Sequence, residues 1–320
     1  MQLVKKILIR FNGLYYPQEY LCFERGSFYQ PLRVYLVHGY YVAKDITNDH
    51  LFIGYSPLVF ALTGEHLPVS IHLVFSHRPL APNEIFDEED ALARLEMKQV
   101  RKQQAGGNTI YYYEGTYGSH QFLTSFQQKI NGIINERYNK KPGNVFLPDN
   151  LYKQVQIAYA VPRIISLITI ADHGNYNLFP TDLHGAPDED HYVISLRLGG
   201  KALEQVERSG RVLLSQVHAR AYQMVYSLGK NHMQEPRPIE NFPFSALFSK
   251  TLHWPLPKET LLYRELELAD SFELGIHKIL LFTCSYKEQN LDESGSLTHI
   301  HNSYATWRHK TGLTGNYLLR

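Results

Sequence analysis

The sequence predicts a mainly β chain with inserted helices, an α+β protein of two domains, and three observations carry this reading. Tyrosine is the commonest aromatic, 23 of 320 residues, and it suits the pleated, half-buried surface of a strand. Short apolar runs recur between clusters of Asn, Asp, Gly and Pro, the punctuation of antiparallel strands. The length is about twice that of one ordinary domain.

In the first half the strand-like runs are LVKKILIRF, YLCFE, LRVYLVHGYYVA, LFIGY and VSIHLVFS. The segment Asp87–Gln104, DEEDALARLEMKQVRKQQ, reads as a helix, because its acids lead and its bases trail in accord with the helix dipole. Gly106 and Gly107 break it, and TIYYYEGTYG follows as a strand and turn. A second helix is expected over His120–Tyr138, where Phe122, Phe126, Ile130, Ile133 and Ile134 recur at the spacing of one apolar face. Lys140–Asn150, KKPGNVFLPDN, contains the best linker. It sets the expected division into a β-rich domain, 1–150, and a second domain, 151–320.

The second half opens with a short helix, LYKQVQIAYA, ended by Pro162. Strands are expected at 164–171, 192–198, 211–217, 262–269 and 276–286, with short helices at KALEQVERSG and ARAYQMVYSLGKNH. No Gly-rich phosphate loop follows the first strand, and GxGxxG and GxxxxGK are absent. A small barrel with helices tucked into its connections therefore fits better than a parallel sheet. DESGSLTHIHN, 292–302, is polar enough to read as a mobile loop, and no internal repeat is evident.

Charge is balanced, 32 basic against 31 acidic residues, which gives no global basic footprint for nucleic acid. The N-terminus reads as a strand rather than a signal peptide, and no run of 18 uncharged apolar residues exists. The expectation is a cytoplasmic protein without a membrane partner. Cys22 and Cys284 define neither a disulfide framework nor a metal site. His299, His301 and His309 invite a metal reading, but clustering is easy among 16 histidines, and no metal site is assigned. No GxSxG elbow or Ser-His-Asp order appears. Asp188, Glu189 and Asp190 read as a solvated loop.

One stretch resists a purely structural account. GNYNLFPTDLHG, Gly174–Gly185, sets an amide, a proline, a hydroxyl, an acid and a histidine between two apolar runs. Pro162-Arg163 and Thr169 precede it. Lys201, RVLLSQV (Arg211–Val217), RELEL (Arg264–Leu268) and LGIHKILLFTCSY (Leu274–Tyr286) follow. In this order the second half resembles the flavin reductase-like, FMN-binding split-barrel family. Departures are Asp182 where the family has a serine, Ala202 where it has a hydroxyl, and Gln216 where it has an asparagine.

The resemblance implies a split β-barrel over 151–320 and an FMN-binding oxidoreductase of the NAD(P)H:flavin reductase type, with NADH or NADPH as co-substrate. It also implies a homodimer. Arg163, Thr169, Thr181 and Lys201 would serve the phosphate. Asn177 with Leu178, Phe179 and Pro180 would serve the ring edge, with Asp182 beside them and His277 at the reactive face. The alternative is a binding or assembly module of the same shape that has lost FMN. The resemblance assigns no role to residues 1–150.

Overall fold

The computed structural model describes residues 20–140, 145–288, 293–313 and 317–319. The strand expected at LVKKILIRF lies outside them. In chain order the strands are β1 (Tyr20–Glu24), β2 (Arg33–His38), β3 (Tyr41–Asp45), β4 (His50–Tyr55), β5 (Leu58–Thr63), β6 (Ser70–Ser76), β7 (Ala93–Ala105) and β8 (Asn108–His120). Helices α1 (Ser125–Asn139) and α2 (Asp149–Ala158) follow. Then come β9 (Arg163–Ile164), β10 (Ser166–Asp172), β11 (Asn175–Thr181), β12 (His184–Gly185), β13 (His191–Arg197), α3 (Lys201–Ser209) and β14 (Arg211–Val217). The chain ends with α4 (Tyr222–Ser227), β15 (Phe244–Phe248), β16 (Pro255–Pro257), β17 (Thr260–Leu274), β18 (His277–Lys287), β19 (Leu297–His301), α5 (Asn302–Lys310) and β20 (Tyr317–Leu319). The protein is mainly β with some helix, as the sequence predicts.

Two expectations fail. Asp87–Gln104 is not helical: a short turn leads into β7, whose Ala93, Leu95 and Met97 are buried on one face while Glu96 and Lys98 stay exposed. That alternation is the period of a strand, and it outweighs the charge order that imitated a helix. The polar run ending at Asn302 contains β19, all five residues of which are buried. It is a covered strand rather than a mobile loop. The helix α1 is present, but Phe126 and Ile133 of its expected apolar face are exposed while Phe122 and Ile134 are buried.

Among the described residues two seven-stranded antiparallel sheets dominate, ordered β3-β2-β6-β7-β8-β5-β4 and β11-β10-β14-β17-β18-β13-β12. Numbered within its own sheet, each follows the same order, 2-1-5-6-7-4-3. The long hairpins β7–β8 and β17–β18 also carry their irregularities at matching places. Register shifts fall between Glu96/Met97 and Gln99/Arg101 in one, and between Glu265/Leu266 and Leu268/Asp270 in the other. The chain is a structural repeat that its sequence hides. The halves differ by insertion: α3 lies between the fourth and fifth strands of the second sheet, and α4, β15 and β16 between its fifth and sixth.

Each sheet buries one face on its own helix. Leu36, Phe60, Leu73, Phe75 and Leu95 pack with Val155, Ile157 and Ala158 of α2. Ile168, Ile194, Leu214 and Leu280 pack with Ala202, Leu203 and Val206 of α3. Gly210, at φ +63, ends α3 in the left-handed conformation that glycine adopts without penalty. The opposite faces meet each other: Val59, Ala61, Ile110 and Tyr112 form one cluster with Val193, Phe272, Ile279 and Leu281.

This contact is reciprocal. The turn at Ser56-Pro57 meets the hairpin end at Gly275-Ile276, where the Ile276 N–H donates to the Ser56 carbonyl at 3.0 Å. In the opposite sense, the β7–β8 hairpin end meets the β12–β13 loop. There the Asn108 amide donates to Asp188 at 3.5 Å, and a Cβ on Gly106 would lie 3.1 Å from His191. Gln103 donates to Asp270 at 2.6 Å while Arg101 stacks on Phe272 at 4.0 Å. Matching positions thus exchange partners across the junction, which is the signature of a two-fold contact.

At Gly275 the halves approach closely, with φ +62 and the Ser56 carbonyl 2.1 Å from where a Cβ would stand. Gly275→Ala should destabilise by roughly 2–4 kcal/mol, since it adds a backbone clash to left-handed strain. Gly174→Ala, at φ +83 with open space around it, should cost only about 1–2 kcal/mol. Urea unfolding of both variants checks this, and equal losses would deny the close approach.

Candidate binding site at the junction of the two sheets

A cavity of about 240 Å³ lies between the halves. Asn48, His50 and Phe52 of the first half wall one side. Arg163, Asp182, His184, Tyr192, Gln216 and Arg264 wall the other, and Arg25 and Glu293 border it. β4 and β12, the edge strands of the two sheets, bring these walls together. A Cβ on Gly185 would lie 2.2 Å from the Leu51 side chain, so a larger residue there would oblige Leu51 to move.

Arg264 reaches the cavity because it shares a strand face with Leu262 and Leu266, both core residues. It is 8% exposed, and its Nη1 has no hydrogen-bond partner among the described residues. Its Nη2 lies 3.7 Å from Glu293, whose other oxygen accepts from Arg25 at 2.6 Å. Arg163 is 6% exposed and pairs with Asp182 at 2.8 Å. Its N–H groups are not aligned into hydrogen bonds with any described residue. The two guanidiniums carry more donors than the protein uses, in a space too enclosed to leave them idle at no cost.

Behind Asp182 runs a buried relay. His299 Nε2 stands 2.9 Å from Asp182 and its Nδ1 2.6 Å from the Tyr226 hydroxyl, to which the Cys22 thiol donates at 3.6 Å. The carboxylate only accepts, so Nε2 carries the proton and Nδ1 accepts from Tyr226. Burial alone would raise the Asp182 carboxyl, but Arg163 and His299 outweigh it and hold it well below the usual carboxylate range. Burial pushes the Cys22 thiol up to about 11, which leaves it inert.

Of the residues nominated from sequence, Arg163 and Asp182 line the cavity. The other nominees lie elsewhere. Asn177 is fully buried, and its amide donates to Gln205 at 2.8 Å and to the Asn231 carbonyl at 3.1 Å while its oxygen accepts from the Leu178 N–H. Leu178 and Phe179 are core residues, and Pro180 follows them in the same strand. Thr169 is buried within β10, and Thr181 is buried at the end of β11. Lys201 pairs with Glu235 at the surface. His277 is buried at the junction, 3.2 Å from Ser195 and edge-on to Tyr55 of the other half. His299 and His301 are both buried, and no group of three or more metal-ligating side chains occurs among the described residues. No helix among them is long and apolar enough to cross a membrane.

Sequence reasoning gave no site role to Arg264, His184, Tyr192, Gln216, Asn48 or His50, although it singled out Gln216 as a departure and His184 as part of the 174–185 stretch. Arg264 had a signal: a charge at an inward position of an alternating strand. His184, His50 and Asn48 depend on which edge strands meet, which no local pattern records.

Burial lowers both His277 and His120 to about 4. Unfolded histidines protonate near 6.5, so between about 6.5 and 4 the unfolded chain binds more protons than the folded one. Stability is therefore full above about 6.5 and falls on acidification toward about 4. Urea midpoints measured across this window should fall with pH, and His277→Gln should flatten the slope. An unchanged slope would place the histidine's titration elsewhere.

No protein family and no curated protein matches the sequence. Among solved structures, this chain is similar to the NADH:FAD oxidoreductase of Streptomyces globisporus, at 11% identity and a TM-score of 0.40 over 51% of this chain and 96% of that one. It is similar to the styrene monooxygenase flavin reductase of Pseudomonas putida, at 14% identity and a TM-score of 0.36 over 43% of this chain and 86% of that one. It is also similar to the FMN-binding protein of Thermus thermophilus, at 15% identity and a TM-score of 0.36 over 40% of this chain and 73% of that one.

Proposed function

We propose that the chain is a flavin-binding protein of the split-barrel type, holding FMN at the junction of its sheets for oxidoreduction with NADH or NADPH. The observation that carries this reading is the pair of buried arginines, Arg163 and Arg264, with donors unused by the protein. Three guanidiniums, with Arg25, stand against two carboxylates, Asp182 and Glu293, around the cavity. That balance favours an anion, and fork-shaped guanidinium donors match phosphate oxygens. The cavity volume of about 240 Å³ falls below the ~300 Å³ at which small-ligand pockets usually begin. It is matched to the phosphate end of such a ligand.

In this reading Arg163 keeps the phosphate role that the sequence resemblance implies, and Arg264 takes the place of Lys201. Phe52, Leu51 and Ile164 supply apolar surface beside the charged wall. Bound flavin supplies the hydride and electron chemistry. The residues of the chain bind the phosphate, exclude water and hold Asp182 ionised. His277, buried on Ser195 and Tyr55, positions the junction.

A binding or assembly module without FMN is the second reading. Two observations favour it: the Asn177 amide is saturated internally, and Lys201 is engaged by Glu235. Asp182 would also repel a phosphate that Arg163 did not shield.

An absorption spectrum of the purified protein, followed by FMN titration, separates the readings. The flavin reading expects bound flavin absorption and a weakening of roughly 10–100-fold on Arg264→Gln, the loss of a charge-assisted contact. Lys201→Ala should leave affinity unchanged. Colourless protein that takes up no added FMN removes the oxidoreductase reading and leaves the second.

A further inference from the structure

The matched register of the two sheets gives the cavity residues that lie on them counterparts in the other half. Arg264 pairs with Leu214 and Lys287, and Leu95 pairs with Leu73 and Gly118 at the same place beside the same bulge. Leu95 is therefore the counterpart of Arg264. By the same register Gln216 answers to Phe75, and Tyr192, opposite Phe282, answers to Phe60, opposite Tyr113. The polar residues of one half are thus leucine and phenylalanine in the other. All three counterparts sit in the apolar core that receives Val155, Ile157 and Ala158 of α2.

Nearer the junction the counterparts stay polar and share one site. His184 pairs with Ile194 as His50 pairs with Leu62, and both histidines line the cavity. Two residues before them, Asp182 and Asn48 line it as well. One residue after them, Gly185 and Leu51 touch. The cavity therefore lies beside the two-fold axis, with its charged wall from one half and its opposing wall from the other.

We propose that the half carrying β2–β8 is a built-in second subunit. The chain works as a monomer with one composite ligand site beside the axis between its halves, and apolar residues have closed the counterpart site. This takes the place of the homodimer that the sequence resemblance implies, and it gives the first half a role. Only the choice of FMN as ligand rests on the flavin reading; the composite wall and its single copy rest on register and packing.

Light scattering of the intact protein over a wide concentration range, joined to FMN titration, tests it. The expected results are the mass of one chain and one flavin per chain. The expected effect of Asn48→Asp, an exposed substitution in the first-half wall, is affinity weakened about tenfold by one added negative charge. A stable dimer of chains, two flavins per chain, or an Asn48→Asp variant that binds as well as the parent would overturn the proposal. If FMN does not bind, the flavin reading falls alone. The proposal is then decided by the mass and by titration with inorganic phosphate: weaker phosphate binding by Asn48→Asp supports it. No phosphate binding, or binding indifferent to the variant, sinks it.

Discussion

Everything in this molecule hangs on one contact, the apolar face that each seven-stranded sheet turns toward the other. Val59, Ala61, Ile110 and Tyr112 meet Val193, Phe272, Ile279 and Leu281 there, and most of them are less than 5% exposed. Burying such side chains contributes about 1.5–3 kcal/mol each, so neither sheet is stable with this face open to water. The contact also fixes geometry. Close backbone approach at Gly275 and the edge contact at Gly185 set the depth at which the sheets engage. The cavity exists because the two edge strands, β4 and β12, are held at that depth and no nearer.

The buried charges follow from the same arrangement. Asp182 stands between Arg163 in front and His299 behind, and a carboxylate in that position stays ionised although it is partly buried. Burial and the Arg163 charge both lower His299, which leaves it neutral and able to accept from Tyr226. The relay thus holds one orientation from Cys22 to Arg163. β1 and β19, which carry Cys22 and His299, pair with each other and pack into both halves, Leu21, Phe23 and Ile300 in the core of the first and Cys22 and Leu297 in that of the second. The segments that carry these strands consequently stabilise the charged wall, and through Arg25 and Glu293 they also border the cavity.

Much of the second sheet was legible in the sequence. RVLLSQV is β14 residue for residue, Gly210 caps α3, and the runs at 164–171, 192–198, 262–269 and 276–286 all contain strands. These succeed because alternation and glycine punctuation are local signals. Asp87–Gln104 failed because a charge gradient can imitate a helix dipole on a strand whose exposed positions happen to be charged. The repeat was illegible for a different reason. A sheet face requires only apolar residues at alternate positions, so Leu95 and Arg264 occupy one structural position with nothing in common. The insertions of α3 and of α4–β16 then shift the spacing differently along the chain. Arg163 and Asp182 were legible because a resemblance in motif order singled out their segment. Asn48 and His50 were not, since their place in the site is fixed by the other half of the molecule.

The asymmetry of the two halves has a physical logic. An arginine at an inward strand position is costly to bury and needs compensation from carboxylates, ligand or water. The second half supplies it with Glu293 near Arg264 and Asp182 beside Arg163. In the first half the position of Arg264 is taken by Leu95, which packs in the core with α2, and a guanidinium there would meet Val155 and Ile157 in place of an acid. Once a helix covers one of two matching positions, apolar residues at it lower the free energy, while the uncovered position keeps its polar set. A repeat that begins symmetric is therefore driven toward one filled half and one open half. The arginine-walled cavity beside the axis is the open half of that pair.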